Sequence, residues 1–172
     1  TETLAGRVDF TGGIISLPEL HLTPELALKI HKIIITACGT AAYAGMVGKQ
    51  LLENISRIPC QVEIASEFRY SDPIVDEHSV VLAISQSGET ADTLAAMDEG
   101  RRKGALLWSI VNAVGSQAMR VADGSISMQT GPEIGVASTK AFTAPLVDQY
   151  MLAILLGDLS GTLSEKTRRA LV

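Results

Sequence analysis

Short apolar runs alternate with longer amphipathic stretches along most of the chain, and this alternation is typical of repeated βαβ units. Runs with the length of buried strands cover residues 33–37, 61–64, 79–84, 106–111 and 124–128. The stretches between them predict helices at about 41–56, 91–103 and 116–121, with a short helix or loop at 65–70. Crossovers between parallel strands are right-handed, so helices should cover both faces of the sheet. The sequence therefore predicts an α/β fold, a three-layer αβα sandwich around a five-stranded, parallel, doubly wound sheet.

The segments that flank this pattern predict the domain boundaries. Residues 1–23 are expected to form an extended lead-in or linker. The apolar stretch 141–156 predicts a buried helix that ends at Gly157. Residues 161–172 begin another amphipathic segment, which we interpret as the start of a link to a further domain outside this chain. The predicted domain is therefore residues 24–160.

Composition and charge exclude several classes of function. With 47% hydrophobic but only 4% aromatic residues, the core must consist of small aliphatic side chains, as in a buried parallel sheet. The net charge of −5 and the lack of a basic stripe argue against a nucleic-acid surface. The short basic group Arg101-Arg102-Lys103 is expected to be solvated. No apolar run approaches the ~20 residues that cross a bilayer, and no signal-like segment is present, so we expect a cytoplasmic protein without membrane contact.

Cysteine and histidine residues give little support to a metal site. Cys38 and Cys60 lack Cys-x-x-Cys spacing and are interpreted as buried free thiols. His21, His31 and His78 are expected at the surface or at the edge of the core. We therefore expect neither a metal ion nor another cofactor.

The strongest candidate for chemistry is the run from Ser85 to Thr90, Ser-Gln-Ser-Gly-Glu-Thr. It follows an apolar strand and precedes a predicted helix, so three hydroxyls and several backbone N–H groups converge at the positive end of that helix. Gly88 would let the backbone approach a ligand closely. Because neither a Walker pattern nor Gly-x-Gly-x-x-Gly is present, nucleotides are disfavoured. The run predicts a phosphate site for a small molecule, although similar turns often only cap helices.

A second polar loop, Gly39-Thr40-Ala41, follows the first predicted strand. Ligands of doubly wound sheets bind outside the carboxyl ends of strands, near a switch in strand order. Both loops are therefore candidates for the walls of one pocket.

Three motifs, in this order, resemble one known family. They are Ala37-Cys38-Gly39-Thr40, the run from Ser85 to Leu94, and the run from Pro132 to Thr143. Together they resemble the first sugar isomerase (SIS) domain of glutamine:fructose-6-phosphate aminotransferases, and the similarity extends over nearly the whole chain. The resemblance implies a flavodoxin-like SIS fold. It also implies a role in making glucosamine 6-phosphate from fructose 6-phosphate and glutamine.

The resemblance also implies which residues bind the hexose 6-phosphate. They are Thr40, Ala41, Ser85, Gln86, Ser87, Thr90, Val136 and Ser138. The four in the serine-rich run would hold the phosphate, and the other four would line the sugar. The family usually has serine at the position of Ala41. A neutral hydrogen bond contributes about 0.5–1.5 kcal/mol, so its loss should weaken binding without abolishing it.

The same resemblance implies that no residue of this chain is catalytic. In the family the base, the ring-opening histidine and the reactive lysine lie in the second SIS domain and the C-terminal tail, and a separate domain hydrolyses glutamine. We interpret Glu89 as complementing a helix dipole, and Glu133 and Lys140 as positioning a loop and capping the next helix. The chain alone should be inactive, and it should form a homodimer through an apolar face that its missing partner domains would cover.

Two alternatives stay open. The chain could be a stand-alone regulatory module that binds a sugar phosphate, as in sugar-responsive transcription factors, or a complete small SIS isomerase. The motif from Glu133 to Lys140 favours the aminotransferase, and no helix-turn-helix segment is visible in the sequence.

Overall fold

The structure is a computed structural model that describes residues 2–135 and 138–172. The strands are β1 (Val8–Asp9), β2 (Ile14–Ile15), β3 (Lys32–Ala37), β4 (Cys60–Ile64), β5 (Ser79–Ser85), β6 (Leu106–Val111) and β7 (Gly124–Ser127). The α-helices are α1 (Pro24–Lys29), α2 (Thr40–Ile55), α3 (Ala65–Phe68), α4 (Ala91–Arg102), α5 (Gln117–Val121), α6 (Lys140–Leu159) and α7 (Glu165–Leu171). Short 3-10 helices occur at Glu2–Leu4 and Pro18–Leu20.

In the described part of the chain, β3 to β7 form a five-stranded parallel sheet with the order β4-β3-β5-β6-β7. The central strand β5 is buried along its whole length, which explains why it is a continuous apolar run rather than an alternating one. The predicted α/β class and doubly wound sheet are confirmed.

Alternate residues of the strands enter hydrophobic cores on opposite faces of the sheet. Ile35 and Leu82 pack in the core that α2 and α6 cover. Ile34 and Val81 pack in the core beneath α3, α4 and α5. Trp108 is completely buried in the first of these cores.

The order of the strands in the sheet determines where the loops at their carboxyl ends diverge. The chain passes from β3 to β4 at one edge and then crosses to β5 on the other side of β3. The direction therefore reverses between β3 and β5, which pair in parallel up to Ala37 and Ile84. The loops that follow these two strands diverge and open a crevice at their carboxyl ends.

Two local predictions differ from the structure. Helix α6 continues to Leu159, so the prediction that Gly157 ends it is wrong. A Cβ atom at Gly157 would lie 2.8 Å from Cγ of Leu163 and 3.2 Å from the carbonyl oxygen of Ile55, so packing requires this glycine. In the lead-in, β1 and β2 pair as an antiparallel hairpin that the sequence pattern did not indicate. The domain boundaries after residues 23 and 160 stay a prediction.

A buried ion pair attaches the N-terminal segment to α6. The Arg7 guanidinium lies 3.3 Å from Oδ1 of Asp148 and 2.8 Å from Oε1 of Glu19. Asp148 is completely buried, and this burial raises the pKa of its carboxyl to about 7 although the Arg7 charge opposes the shift. Removing one member of such a pair leaves an uncompensated charge in the interior, which is strongly destabilising.

The raised pKa of Asp148 predicts a pH dependence of stability. The folded state binds the proton of Asp148 more tightly than the unfolded chain does. The contribution of this proton to the free energy of unfolding is therefore complete below pH 3.8, the pKa of the carboxyl in the unfolded chain, and is lost as the pH rises through about 7. We expect Asp148→Asn to remove this decline from the free energy of unfolding, measured by urea denaturation between pH 4 and pH 8.

Asp158→Asn, which removes a partly exposed carboxylate from the same helix, is the control and should keep the wild-type pH profile. A profile that is unchanged in Asp148→Asn would contradict the assignment.

Candidate functional site

A cavity of about 350 Å³ opens at the switch point between β3 and β5. Its walls come from the loops after these strands, the first turns of α2 and α4, and the segment that precedes α6. The sequence-derived site positions that line it are Thr40, Ala41, Ser85, Gln86, Ser87, Thr90 and Ser138. Val136 lies outside the described residues. The structure therefore brings these seven positions together, while their role in binding stays a prediction.

Hydrogen bonds within the serine-rich loop distinguish its hydroxyls. The Ser85 hydroxyl is buried, accepts from the backbone N–H of Gly88 at 3.0 Å, and lies 3.3 Å from Oγ1 of Thr90. The Ser87 hydroxyl accepts from the backbone N–H of Glu89 at 3.2 Å and is half-buried. Ser85 thus shapes the loop, whereas the hydroxyl proton of Ser87 is free to be donated to a ligand.

Two helices begin at this cavity without a side-chain cap among the described residues. Helix α2 follows Gly39, which has a φ of +58° and no side chain. Helix α4 follows Thr90, whose hydroxyl is near Ser85 and makes no capping hydrogen bond. The first turns of both helices therefore keep backbone N–H groups that need acceptors. Helix starts of this kind favour a negatively charged group.

The helix α6 differs because Glu133 caps it. Its Oε2 accepts hydrogen bonds from the backbone N–H groups of Thr139 at 3.0 Å and Ala141 at 3.1 Å. These bonds, the one from Thr139 first, hold the pKa of the Glu133 carboxyl below its ordinary value. The predicted capping role of Glu133 is confirmed. Lys140 begins α6 and does not line this cavity.

Glu89 also caps a helix, but this helix is α5 rather than α4, which follows Glu89 in sequence. Its Oε1 accepts a hydrogen bond of 2.8 Å from the backbone N–H of Gln117, the first residue of α5. The carboxylate therefore accepts a hydrogen bond at the start of α5. It leaves the backbone N–H groups in the first turn of α4 available to another acceptor.

Packing explains why position 88 is glycine. Gly88 has a φ of +66°, and a Cβ there would lie 2.1 Å from Oγ of Ser116, the residue before α5, and 2.6 Å from its Cβ. The sequence-based reason, close approach of the backbone to a ligand, stays a prediction.

The two cysteines differ in burial. Cys60 is buried, and burial raises the pKa of its thiol to about 12, whereas Cys38 is a half-buried free thiol that lines the cavity.

Two of the histidines lie away from the cavity. The rings of His31 and His78 stack with centroids 4.7 Å apart at the amino ends of β3 and β5.

Two absences apply to the residues that the structure describes. They contain no group of three or more His, Cys, Asp or Glu side chains that could hold a metal ion. None of their helices is long and apolar enough to cross a membrane.

A parallel doubly wound sheet with a polar cavity at its switch point defines a class of α/β ligand-binding domain. Within that class, residues 28–155 match the SIS domain family, and the chain belongs to this family.

Relatives with known names agree with this assignment. A glutamine–fructose-6-phosphate aminotransferase (isomerizing) of Symbiobacterium thermophilum is 46% identical over 171 residues, which are 99% of this chain and 28% of that protein. The enzyme of the same name from Streptomyces coelicolor is 47% identical over 161 residues, which are 94% of this chain and 26% of that protein. The chain thus spans about a quarter of the length of the curated relatives it matches.

A solved structure extends the similarity to the fold. The C-terminal domain of glucosamine-fructose-6-phosphate aminotransferase from Francisella tularensis superposes with a TM-score of 0.89 and is 38% identical. The match covers 98% of this chain and 46% of that chain. The predicted resemblance to SIS domains is confirmed.

The contact between Gly88 and Ser116 predicts that Gly88→Ala is more destabilising than an ordinary glycine substitution. Gly115→Ala is the matched control, because Gly115 has a φ of +78° and a Cβ there would meet nothing within 4 Å. Backbone strain at positive φ costs roughly 1–2 kcal/mol at either site, and only Gly88→Ala adds a steric clash. Equal losses in free energy of unfolding, measured by urea denaturation, would show that the Ser116 contact is unimportant.

Proposed function

We propose that this chain is the first SIS domain of a glutamine:fructose-6-phosphate aminotransferase and that its cavity binds the phosphate of a hexose 6-phosphate. The observation that carries the proposal is the pair of uncapped helix starts, α2 and α4, at one cavity with unused hydroxyl protons. A phosphate supplies acceptor oxygens for these donors, and its negative charge is favoured at helix N-termini. Hydrogen bonds to charged groups contribute about 1.5–3 kcal/mol each, so no lysine or arginine is needed.

Cavity size and lining support a small phosphorylated sugar. A volume of about 350 Å³ lies within the range of about 300–1,000 Å³ that is usual for small-molecule sites. Thr40 and Ala41 on one side and Ser138 on the other would contact the sugar, and Val136 stays a predicted contact. Ala41 offers only its backbone there, which is the departure from the usual serine that the sequence indicates.

Binding and turnover are separate in this proposal. Moving a proton between C1 and C2 of the sugar requires a free base, but Glu133 in the cavity wall is already held by two backbone N–H groups. We propose that the base, the ring-opening group and the glutamine-hydrolysing site belong to other domains of the aminotransferase. The chain alone then binds substrate without converting it. Its proposed location is the cytoplasm, where we expect its substrates to be.

Ser87→Ala tests the phosphate site directly. We expect it to weaken binding of glucosamine 6-phosphate and fructose 6-phosphate by about tenfold or more, since one hydrogen bond to a charged group is lost. Isothermal titration calorimetry measures the affinity, and glucosamine without phosphate should give no heat with any variant.

Ser66→Ala is the matched control, because Ser66 lies on α3 and its hydroxyl hydrogen-bonds, among the described residues, only to the Glu67 side chain. Wild-type affinity in Ser87→Ala, or equal binding of glucosamine and its phosphate, would contradict the proposed site.

We also propose that the chain forms a homodimer through an apolar face of α2. Tyr43, Met46 and Val47 are spaced to lie on one side of the helix, and they are 62%, 48% and 43% exposed. Contiguous exposed apolar surface of this kind marks protein interfaces. In a complete aminotransferase, the second SIS domain is our candidate for covering this face.

Met46→Glu should therefore shift the isolated chain towards monomer, because it places a charge in the proposed interface. Size-exclusion chromatography with light scattering measures the mass, and Ile74→Glu, at an exposed position outside α2, is the control. A monomeric wild type at high concentration, or a Met46→Glu variant that stays dimeric, would contradict this interface.

A further inference from the structure

Thr93 is a feature of the cavity that neither the sequence pattern nor the resemblance singled out. It is the third residue of α4 and lines the cavity beside Ser87 and Thr90. Its side chain is only 1% exposed, and its Oγ1 has no hydrogen-bond partner within the described residues.

A buried hydroxyl without a partner is unfavourable, and such groups in folded proteins normally find a protein or solvent partner. Valine has nearly the same shape and would fill the space beneath the first turn of α4 without that cost. A threonine inside a helix can donate to the carbonyl four residues earlier, but Thr93 makes no such bond. Because Thr93 lines the cavity, a ligand bound there can supply the partner that its hydroxyl lacks.

The position of Thr93 relative to Thr90 supports this interpretation. Residues three apart on a helix share one face, so Thr93 lies one turn below the residue that precedes α4 and on the same side. Thr90 is itself 3.3 Å from the Ser85 hydroxyl. Ser85, Thr90 and Thr93 therefore all line the same cavity.

We propose that the Thr93 hydroxyl donates a hydrogen bond to the phosphate bound in the cavity. The phosphate would then be held from the loop by Ser87 and from within the first turn of α4 by Thr93. This inference rests on the proposed function, and it adds a binding residue to the same site.

Thr93→Val separates a ligand-binding role from a structural one. We expect it to weaken binding of glucosamine 6-phosphate and of inorganic phosphate by about tenfold, measured by calorimetry. Its melting temperature without ligand should equal or exceed that of the wild type, because the variant removes an unpaired buried hydroxyl. Thr93→Ser keeps the hydroxyl and should retain affinity within about twofold.

Thr36→Val is the matched control. Thr36 lies in β3, is completely buried and also has an unpaired Oγ1, but it does not line the cavity. We expect this variant to keep wild-type affinity for both ligands.

The possible outcomes are distinguishable. Wild-type affinity in Thr93→Val, a lower melting temperature of unliganded Thr93→Val, or equally weak binding by the serine and valine variants would overturn this inference alone. Absence of binding to the wild type at millimolar concentrations of either ligand would overturn the proposed function and this inference with it.

Discussion

Backbone N–H groups at the start of a helix require acceptors, and the cavity of this domain depends on how that requirement is met. The reversal of strand order between β3 and β5 brings the first turns of α2 and α4 to the same crevice. Glycine precedes one helix, and a threonine that faces Ser85 precedes the other. Neither helix receives an acceptor from its own preceding side chain, and the anion site that we propose depends on the sheet topology and these two residues together.

The neighbouring helices show the opposite arrangement. Glu133 caps α6, and Glu89 reaches across to the first residue of α5. Carboxylates therefore occupy the starts of α5 and α6, while the starts of α2 and α4 lack them. If a phosphate occupies the cavity, negatively charged oxygens accept hydrogen bonds from the first-turn N–H groups of all four helices, α2, α4, α5 and α6. Under the proposed function, this selective capping explains how an acidic chain binds an anion.

Parts of this architecture could be predicted from the sequence because they depend on local patterns. β5 and β6 are buried apolar runs of strand length, and the polar loop after β5 is followed at once by a helical pattern.

Features that depend on contacts between distant residues could not be predicted. The sequence pattern places the end of α6 at Gly157, because a glycine inside a helix cannot be distinguished by sequence from one that ends it; the contact with Leu163 explains this glycine. The contact of Gly88 with Ser116, which is distant in sequence, could not be predicted either. Thr93 gave no signal, because only burial distinguishes it from an ordinary helical threonine.

The buried pair of Arg7 and Asp148 has a consequence for the size of the smallest autonomous unit. The sequence places the start of the domain at residue 24, yet the cation that neutralises the interior of α6 comes from the hairpin segment before it. A shortened chain that began at residue 24 would bury Asp148 without a counter-charge, and taking up a proton would be its simplest remedy. Such a truncated domain would be most stable at acidic pH, although it would keep every residue of the parallel sheet and of the cavity.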